Sequence, residues 1–454
     1  MPPAAPPRAP RVMAGDLARH VGRHVTIAGW LHRKRELKAV MFLIVRDRTG
    51  IAQVVLPGQG QHGRDPLGDN GGEARTVAAT LTEETAIQVS GLVTASEQAP
   101  GGAELTQPVI TALSAPAEPP PFDLYRPVLP ASLPTVLDHA PTTLRHPALR
   151  AGLEISAASV AGFRALLDAD GFTEIHTPKI VQSATESGAN VFAIDFFGQQ
   201  AYLAQSPQFY KQAMVGVFER VYETGPVFRA EPHDTARHLA QYQSLDAELG
   251  FITDHYDVMA VLRDVIAAMV ASVRQRARAA TALLNVDLPE VPAQLPELHF
   301  ADAQELIARH AGWDPVGEPD LSPADERWLG EWAQREHGCE FLFVTGFPMV
   351  KRPFYTHPDP ARPAFSRSFD LLFRGMELVT GGQRLHESAD YHAALAGRGA
   401  DPAPYASYLQ MFDHGMPPHG GFAIGLERWT ARLTGAANVR QVTAFPRDVH
   451  RLTP

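Results

Sequence analysis

"VYETGPVFRAEPHDTARHLAQYQSLDAE" (residues 221–248) places two strand-like apolar runs on either side of a charged loop. Because strand side chains alternate between two faces, Arg229 and Glu231 after the first run are expected to share one face. The arginine can hold a phosphate through two hydrogen bonds while the carboxylate accepts from an amine. Arg237 and His238 in the loop offer further phosphate contacts. The alternative, which this stretch does not exclude, is a surface ion pair on a hairpin.

Helices and strands follow in blocks around this stretch. Helical periodicity covers residues 148–171 and 255–284, and strand-like runs lie between and after them. Because strands do not alternate regularly with helices, the pattern predicts an α+β fold with an antiparallel sheet flanked by helices. The sequence contains neither a GxxxxGK[ST] loop nor a GxGxxG before a helix, so ATP would need another binding device.

The N-terminal part contains five short strand-like runs, which predict a small β-barrel. They lie at residues 25–31, 41–47, 51–56, 86–96 and 103–114. Glycine and polar residues predict a flexible loop over 57–75, and prolines predict a stiff connection after residue 114. The predicted organisation is a flexible tail at 1–15, a barrel domain at 16–114, a proline-rich hinge at 115–140 and a second domain at 141–454.

Composition limits the location and the partners. The 454 residues include one cysteine, Cys339, which excludes an intrachain disulfide and a thiolate metal site. We expect this thiol to be inert at the start of a buried strand. No apolar leader or membrane-spanning run occurs, so the predicted location is cytoplasmic. The net charge of −10 argues against nonspecific coating of nucleic acid, but the basic residues within 19–38 still allow a local basic face.

"FDLLFRGMELVTGGQRLHE" (369–387) carries a second group of functional candidates. Asp370, Glu377 and Thr380 offer the hard oxygen ligands that Mg²⁺ prefers. Arg384 follows a Gly-Gly pair. The alternative is a solvated hairpin with alternating charge.

"PPHGGFAIGLERWTARL" (417–433) joins a glycine-rich strand to a helix and places Arg428 at the start of that helix. Small residues let a ligand approach the backbone, and an arginine plane can cover one face of a base. Alone, this pattern is weak because glycine before a helix is common.

Together these stretches resemble motifs 2 and 3 of the class II aminoacyl-tRNA synthetases, and "GFTEIHTPKI" (171–180) resembles motif 1, with its proline at Pro178. The barrel-first order, "SPQFYKQ" (206–212), "RLHE" and the terminal "FPRDVHRLTP" resemble the aspartyl-tRNA synthetases of the archaeal and eukaryotic type. This resemblance covers nearly the whole chain. It implies an OB-fold anticodon domain, a homodimer in which Pro178 ends an interface strand, and ATP and Mg²⁺ as cofactors.

The resemblance also implies roles for individual residues. Arg229 would grip the α-phosphate, Glu231 would read the adenine amino group, and Glu377 would take part in ATP binding. The remaining ATP contacts would be Arg237 and His238 on the distal phosphates, with Tyr242 and Arg428 on the two faces of adenine. Arg229, Glu231, His238 and Arg428 would be the catalytic set, and Asp370, Glu377 and Thr380 would hold Mg²⁺. Ala423 stands where motif 3 usually begins with glycine.

For the amino acid, the resemblance places Glu186 and Gln208 at the α-ammonium, and Lys211 and Arg384 at the side-chain carboxylate. Thr380 is also counted in the aspartate site. Two fixed cations favour aspartate over asparagine, and the related asparaginyl enzymes differ at the Lys211 position. The alternative for Lys211 is a lysine that extends along a helix to solvent.

In the barrel, the resemblance assigns Phe42 to stacking on the central anticodon base, and Gln53 and Glu104 to reading its edge. A core position is the alternative for Phe42. The resemblance places His32 and Pro100 where strict enzymes carry a tryptophan and a lysine. We therefore expect a relaxed enzyme that charges both tRNA(Asp) and tRNA(Asn), with Asp-tRNA(Asn) passed to an amidotransferase.

Four alternatives remain at this stage. They are a strict aspartyl enzyme, an asparaginyl-tRNA synthetase, a tRNA-independent asparagine synthetase, and a nucleic-acid-binding module with an inactive catalytic domain.

Overall fold

The computed structural model describes residues 11–38, 40–57, 70–182 and 190–454. The chain divides into two compact units, Met1–Ser132 and Leu133–Pro454. The division falls inside the predicted hinge, 115–140. The last part of that hinge is helical, with α2 at Leu133–Asp138 and α3 at Ala140–Thr143, so helices form there in place of a continuous linker.

The first unit is a closed five-stranded barrel with the strand order β1-β2-β3-β5-β4. The strands are β1 His24–Glu36, β2 Val40–Arg46, β3 Ile51–Pro57, β4 Ala86–Ala95 and β5 Ala103–Ala112, which confirms the five predicted runs. Inward-facing aliphatic side chains such as Ile27, Val54 and Leu105 fill the interior. The alternation along each strand puts one face of the sheet inside, as a closed barrel requires.

Two local features of the barrel were not predicted. Helix α1, Asn70–Thr80, begins inside the predicted loop 57–75, and its Ala74 and Ala78 join the barrel core; residues 58–69 lie outside the described part. The alanines explain the helix, because they give a small apolar face despite the two glycines at its start. The second feature is a β-bulge in β1 between Leu31 and Arg33.

The second unit is built on an eight-stranded sheet in the order β12-β13-β14-β15-β16-β11-β10-β6. The bounds are β6 Thr173–Glu174, β10 Arg220–Phe228, β11 Gln241–Gly250, β12 Glu297–His299, β13 Phe341–Thr345, β14 Ser368–Phe373, β15 Met376–Gln383 and β16 His419–Gly425. The central strands are antiparallel, as predicted, and the two edge strands pair in parallel. A separate three-stranded sheet contains β7 Ile180–Val181, β8 Ala193–Phe196 and β9 Gln199–Leu203.

Helices flank this sheet. They are α4 Pro147–Ala169, α5 Gln208–Phe218, α6 His255–Arg276, α7 Arg278–Leu284, α8 Phe300–His310, α9 Pro323–His337, α10 Ser388–Gly397, α11 Ala406–Leu409 and α12 Leu426–Thr434. The predicted helix at 255–284 is interrupted at Ala277, which no residue type at that point signals. Helices α4 and α6 cross closely because Gly162 has no side chain; an added Cβ would lie 2.6 Å from the carbonyl oxygen of Ala268.

Two expectations from composition can be compared with the fold. Cys339 is buried just before β13, and burial raises the pKa of its thiol, so the thiolate is disfavoured. In the described part of the chain, every helix is too short or too polar to span a bilayer.

Candidate active site

A cavity of about 390 Å³ lies in the second unit, lined by residues of α5, α12 and the strands β11, β14, β15 and β16. Its lining includes Lys211 and Arg384 as well as Arg229 and Arg428. The cavity therefore contains both the cations that were predicted to bind an amino acid and those that were predicted to bind a nucleotide. The charges fall into two groups, which differ in burial.

The first group is a buried cluster of two cations and two carboxylates. Lys211 Nζ lies 2.9 Å from Asp246 Oδ1 and 3.3 Å from Glu248 Oε2. Arg384 donates from Nε to Glu248 Oε1 at 2.9 Å and from Nη2 to the Gly421 carbonyl at 3.0 Å. Lys211 and Arg384 thus converge on Glu248, which excludes the solvent-directed alternative for Lys211.

Local sequence explains the orientation of three of these side chains, Lys211, Asp246 and Glu248. Helix α5 buries Gln208, Lys211 and Val215, which lie on one face at helical spacing. Asp246 and Glu248 are two residues apart in β11 and therefore share a face.

Across the sheet, Gly421 of β16 pairs with Glu248. A Cβ at Gly421 would lie 2.0 Å from Glu248 Oε2, so the carboxylate occupies the space that the missing side chain leaves.

The carboxylates modify the electrostatic argument made from sequence. Burial alone would raise the pKa of Glu248, but Arg384 and Lys211 outweigh it and hold that pKa below its usual value. The pKa of Arg384 is raised, because the effect of Glu248 exceeds that of burial. Glu248 and Arg384 are therefore both charged at neutral pH, and the formal charges of the two cations and two carboxylates cancel.

The cluster still offers a donor to a ligand. Within the described residues, Nη1 of Arg384 makes no hydrogen bond, whereas Nε and Nη2 are both engaged. Lys211 uses its Nζ for Asp246 and the Phe422 carbonyl. Arg384 is thus the cation with a free donor, and Lys211 anchors the two acids.

The structure gives less support to the predicted ammonium site. Gln208 is buried and donates to Gln212 at 3.0 Å, while Glu186 lies outside the described residues. Gln212 in turn contacts Tyr391, Tyr408 and His419. This buried polar network fixes helix α5 behind the cavity.

The second group of charges surrounds the loop between β10 and β11. Strand β10 ends at Phe228, so Arg229 and Glu231 follow the strand instead of extending it. Their alternation was therefore the wrong reason to place them together. They still approach each other, with Arg229 Nη1 4.0 Å from Glu231 Oε1. The Arg229 guanidinium lies 5.7 Å from the centre of the Tyr242 ring.

Arg237, His238 and Arg428 line the same cavity. Arg237 pairs with Glu326 at 3.2 Å, and Arg428 Nε donates to the Arg237 carbonyl at 3.4 Å. Burial, followed by the nearby Arg428 and Arg237, lowers the pKa of His238 to about 4. His238 is therefore neutral at pH 7.

The three predicted metal ligands meet because of a β-bulge. Glu377 and Thr380 are three residues apart and would normally face opposite sides of a strand. Leu371 pairs with Val379 and Leu372 with Glu377, which leaves Leu378 as the extra residue. The bulge turns both side chains to one face, where Thr380 donates to Glu377 at 3.1 Å.

Asp370 pairs with Thr380 across the two strands. Burial raises its pKa to about 7, against the opposing effect of Arg352, which contacts Asp370 Oδ1 at 2.9 Å. Two carboxylates and a hydroxyl form an oxygen donor set that fits Mg²⁺. Arg352 contacts Oδ1 of Asp370, so a metal at this position would share that carboxylate with the arginine or displace it.

Four residues of the site were missed by sequence reasoning: Asp246, Glu248, Glu326 and Arg352. The first two carried a visible signal, since an Asp and a Glu alternate inside the apolar strand "SLDAELG". Glu326 accepts from Arg237 and from the backbone of Glu377. No local pattern indicates it, because it lies in α9, far away along the chain.

The predicted anticodon residues lie in the barrel unit. Phe42 is half-buried on the outward face of β2, so it is not a core residue. Gln53 donates to Glu104 at 2.8 Å on neighbouring strands.

Pro100 is partly exposed in a short 3₁₀ turn, Pro100–Gly102. His32 is 4% exposed because it lies in the β1 bulge, which turns it inward beside Leu31. A direct contact between His32 and a base would require this side chain to leave its buried position, so its place in the predicted anticodon set stays a prediction about position and not about contact.

His32 has instead a structural environment within the barrel unit. Its Nδ1 lies 3.4 Å from Glu84 Oε1, and Arg46 contacts the other Glu84 oxygen at 2.7 Å. The ring of Tyr125 lies 5.5 Å from that of His32. His32 thus belongs to a buried polar group with Glu84 and Arg46.

The family description "tRNA synthetases class II (D, K and N)" matches residues 133–449, and "OB-fold nucleic acid binding domain" matches residues 25–113. The chain belongs to the class II tRNA synthetases. Curated relatives named aspartate–tRNA(Asp/Asn) ligase include the protein of Thermus thermophilus, 45% identical over 98% of this chain and 100% of its own length. The Deinococcus radiodurans protein of the same name is 43% identical over 98% of this chain and 99% of its own.

Solved synthetases share the architecture. Asparaginyl-tRNA synthetase from Pyrococcus horikoshii, complexed with asparaginyl-adenylate, matches with a TM-score of 0.88 and 29% identity over 98% of this chain and 99% of that one. A putative aspartyl-tRNA synthetase from Leishmania major matches with a TM-score of 0.84 and 26% identity over 100% and 97%. Class II synthetases generally use ATP and Mg²⁺. Because asparaginyl- and aspartyl-tRNA synthetases share this fold, the fold alone does not determine the amino-acid substrate, which depends on the side chains that line the cavity.

Proposed function

We propose that this synthetase attaches L-aspartate to tRNA and charges both tRNA(Asp) and tRNA(Asn). The observation that carries the proposal is the convergence of Lys211 and Arg384 on Glu248 in the cavity that also contains Arg229 and Arg428. The printed names of the Thermus and Deinococcus relatives support it. In this proposal residues 141–454 catalyse and the barrel, residues 16–114, binds the anticodon.

The reaction has two steps. The aspartate α-carboxylate attacks the α-phosphorus of ATP, which forms aspartyl-adenylate and breaks the bond to pyrophosphate. A hydroxyl of the terminal tRNA adenosine then attacks the acyl carbon, and AMP leaves. Arg229 stabilises charge on the α-phosphate, so its contribution is positioning and electrostatic stabilisation.

The other proposed nucleotide contacts are those that the resemblance implies, and all of these residues line the cavity. Glu231 accepts from the adenine amino group, and Tyr242 and Arg428 cover the two faces of the base. Arg237 and neutral His238 donate to the distal phosphates. Asp370, Glu377 and Thr380 would hold Mg²⁺, which when bound neutralises phosphate charge.

The amino-acid preference follows from the free Nη1 of Arg384. A carboxylate accepts from it with a charge-assisted hydrogen bond, whereas the amide oxygen of asparagine accepts without a negative charge and so forms a weaker bond, and the amide nitrogen cannot accept at all. Lys211 and Glu248 hold the guanidinium in place. Gln208, Glu186 and Thr380 complete the proposed aspartate contacts. The asparaginyl alternative would require this donor to meet an amide.

The relaxed tRNA choice is supported by the buried position of His32 and the small side chain of Pro100. Neither residue extends a long polar side chain toward the third anticodon base. Phe42, Gln53 and Glu104 remain as the proposed contacts to the base that the two anticodons share. The product Asp-tRNA(Asn) would then require an amidotransferase.

A homodimer belongs to the same proposal, as does a cytoplasmic location. Val217, Phe218 and Phe251 are 64%, 44% and 71% exposed. They flank the paired ends of β10 and β11, where Arg220 pairs with Leu249. Exposed apolar side chains this close together are typical of an interface. Pro178, before β7, would lie at the same interface.

Pyrophosphate exchange without tRNA tests the amino-acid assignment. We expect exchange with aspartate and less than about 1% of that rate with asparagine, since unpaired buried polar groups reject isosteres strongly. Exchange with asparagine alone would refute the aspartate assignment, and no exchange with either would indicate an inactive domain.

Charging of purified transcripts tests the tRNA assignment. Aspartylation of tRNA(Asn) at a rate within about tenfold of tRNA(Asp) is expected, and a preference above about a hundredfold would contradict the relaxed choice. Failure to charge either transcript, with exchange intact, would indicate a tRNA-independent asparagine synthetase, in which ammonia consumes the adenylate.

A further inference from the structure

A cluster of imidazole and carboxylate ligands lies in the loop between β10 and β11. One ligand atom each from Glu231, His233 and His238 lies within 4.8 Å of the others. His233 Nδ1 is 3.5 Å from Glu231 Oε2, and the two imidazole ring centres are 5.1 Å apart. The functional roles above use Glu231 and His238 but leave His233 without one.

This donor set differs from the oxygen set at Asp370. Two imidazoles and one carboxylate form the ligand combination of many open zinc sites, whereas Mg²⁺ prefers oxygen ligands alone. Ligands bound at about 2 Å in a tetrahedron lie roughly 3.3 Å apart, so the ligand atoms, which lie within 4.8 Å of one another, would have to approach by at most about 1.5 Å. The cluster lies in a loop, and no strand pairing opposes this movement.

The surroundings favour a metal at this position. Thr235 hydrogen-bonds Nδ1 of His238, which orients the ring and leaves Nε2 for a metal. The side chain of His233 is 56% exposed, so an ion can enter and a fourth position stays open to water. His238 is also neutral at pH 7, as a ligand must be.

Nearby positive charges oppose a metal, and the structure partly neutralises them. Arg237 pairs with Glu326 at 3.2 Å, and Arg428 lies 3.9 Å from Glu377 Oε2. Arg229 lies 4.0 Å from Glu231, so a cation on Glu231 would compete with that arginine. ATP would recruit the same side chains, and so the two ligands cannot share them.

We propose that Glu231, His233 and His238 form a second cation site that takes Zn²⁺ and similar imidazole-binding ions, and that its occupation excludes ATP. The metal site stands on the geometry alone. The exclusion of ATP rests on the proposed function, because that function places adenine on Glu231 and the distal phosphates on His238. Zinc would therefore inhibit adenylate formation competitively with ATP.

The experiment uses the untagged full-length protein and Co²⁺ as a spectroscopic probe for Zn²⁺. Co²⁺ should give visible d–d bands, which Zn²⁺ abolishes by displacement. His233→Gln should weaken Co²⁺ and Zn²⁺ binding at least ~10-fold, the loss expected when a metal site is damaged. His450→Gln is the matched control, because His450 is an exposed histidine that also lies beside a carboxylate, that of Asp234. Its spectrum should match that of the wild type.

The second arm measures exclusion. With free Co²⁺ held constant by a metal buffer, added Mg·ATP should remove the bands. Zn²⁺ should raise the KM for ATP in pyrophosphate exchange, and His233→Gln should shift that inhibition to at least ~10-fold higher Zn²⁺. Without zinc, the variant should keep its exchange activity.

Each outcome decides one point. Absent bands, or bands unchanged in His233→Gln, would overturn the metal site. Bands that persist at saturating Mg·ATP would overturn the exclusion. Failure of aspartate-dependent exchange in zinc-free wild type would refute the proposed function while the spectrum still reports the site.

Discussion

Replacement of Lys211 by methionine tests the buried charge cluster most directly. Methionine has a similar length but no charge, so the change leaves Asp246 with Ser244 as its remaining side-chain partner, while Glu248 keeps Arg384. Removal of one partner from a buried ion pair costs about 3–5 kcal/mol. Because Arg384 still neutralises Glu248, we expect a loss near the lower end, about 3 kcal/mol of unfolding free energy.

The same change should weaken aspartate binding. The cluster is neutral in the wild type and would carry one negative charge in Lys211→Met, next to the substrate carboxylate. Repulsion of the substrate by this charge, taken as equal in size to one charge-assisted hydrogen bond, costs about 1.5–3 kcal/mol, which corresponds to an increase of roughly 10- to 150-fold in the KM for aspartate. Adding Asp246→Asn restores neutrality. The double variant should therefore recover most of the stability and only part of the aspartate affinity.

The assays are urea unfolding followed by fluorescence, and pyrophosphate exchange with aspartate and asparagine. Lys179→Met is the matched control, because Lys179 also contacts a carboxylate, Glu223, at 2.9 Å, but is 19% exposed and outside the cavity. It should leave the KM for aspartate unchanged. The reasoning fails if Lys211→Met loses less than about 1 kcal/mol of stability, or if the double variant is no more stable than the single one.

Three further changes probe other parts of the molecule. Gly421→Ala should destabilise the protein by about 1–3 kcal/mol in urea unfolding and abolish aspartate-dependent exchange, because the added Cβ would lie 2.0 Å from Glu248 Oε2. An unchanged unfolding midpoint would contradict this close contact between Gly421 and Glu248. Burial raises the pKa of Glu427 from 4.5 to about 7, so folding favours its protonated form. The stability of the protein should therefore fall as the pH rises from about 4.5 to 7. Glu427→Gln should flatten this pH dependence in thermal unfolding, and an unaltered dependence would refute the role given to Glu427. Phe42→Ala should raise the KM for tRNA about tenfold, because the loss of one stacked base costs about that factor in affinity. Pyrophosphate exchange without tRNA should stay intact, and an equal loss in both assays would indicate misfolding.

Local sequence accounts for much of the fold because the signals are short-range. Alternating apolar residues fixed five barrel strands, and helical periodicity fixed the helix now bounded by Pro147–Ala169. Signals of this kind depend on which side chains can cover a core, and nearby residues decide that. Residues 70–75, the last part of the predicted loop, were wrongly predicted because a helix there depends on packing against the barrel.

The resemblance of short motifs indicated the residues of the site, and the tertiary structure determined how they are arranged. Two β-bulges are the clearest cases: one turns Glu377 and Thr380 to the same face, and the other buries His32. An extra residue in a strand reverses the alternation that sequence reasoning assumes, and only the pairing of strands reveals it.

The charge balance of the cavity required the same long-range information. Sequence determined that Lys211 and Arg384 are cations and that an Asp and a Glu alternate in a nearby strand. Only the packing of α5, β11 and β16 brought Glu248 between the two cations. Burial makes an isolated charge costly, so ion pairs between distant parts of the chain are set by the three-dimensional fold and not by the local order of residues.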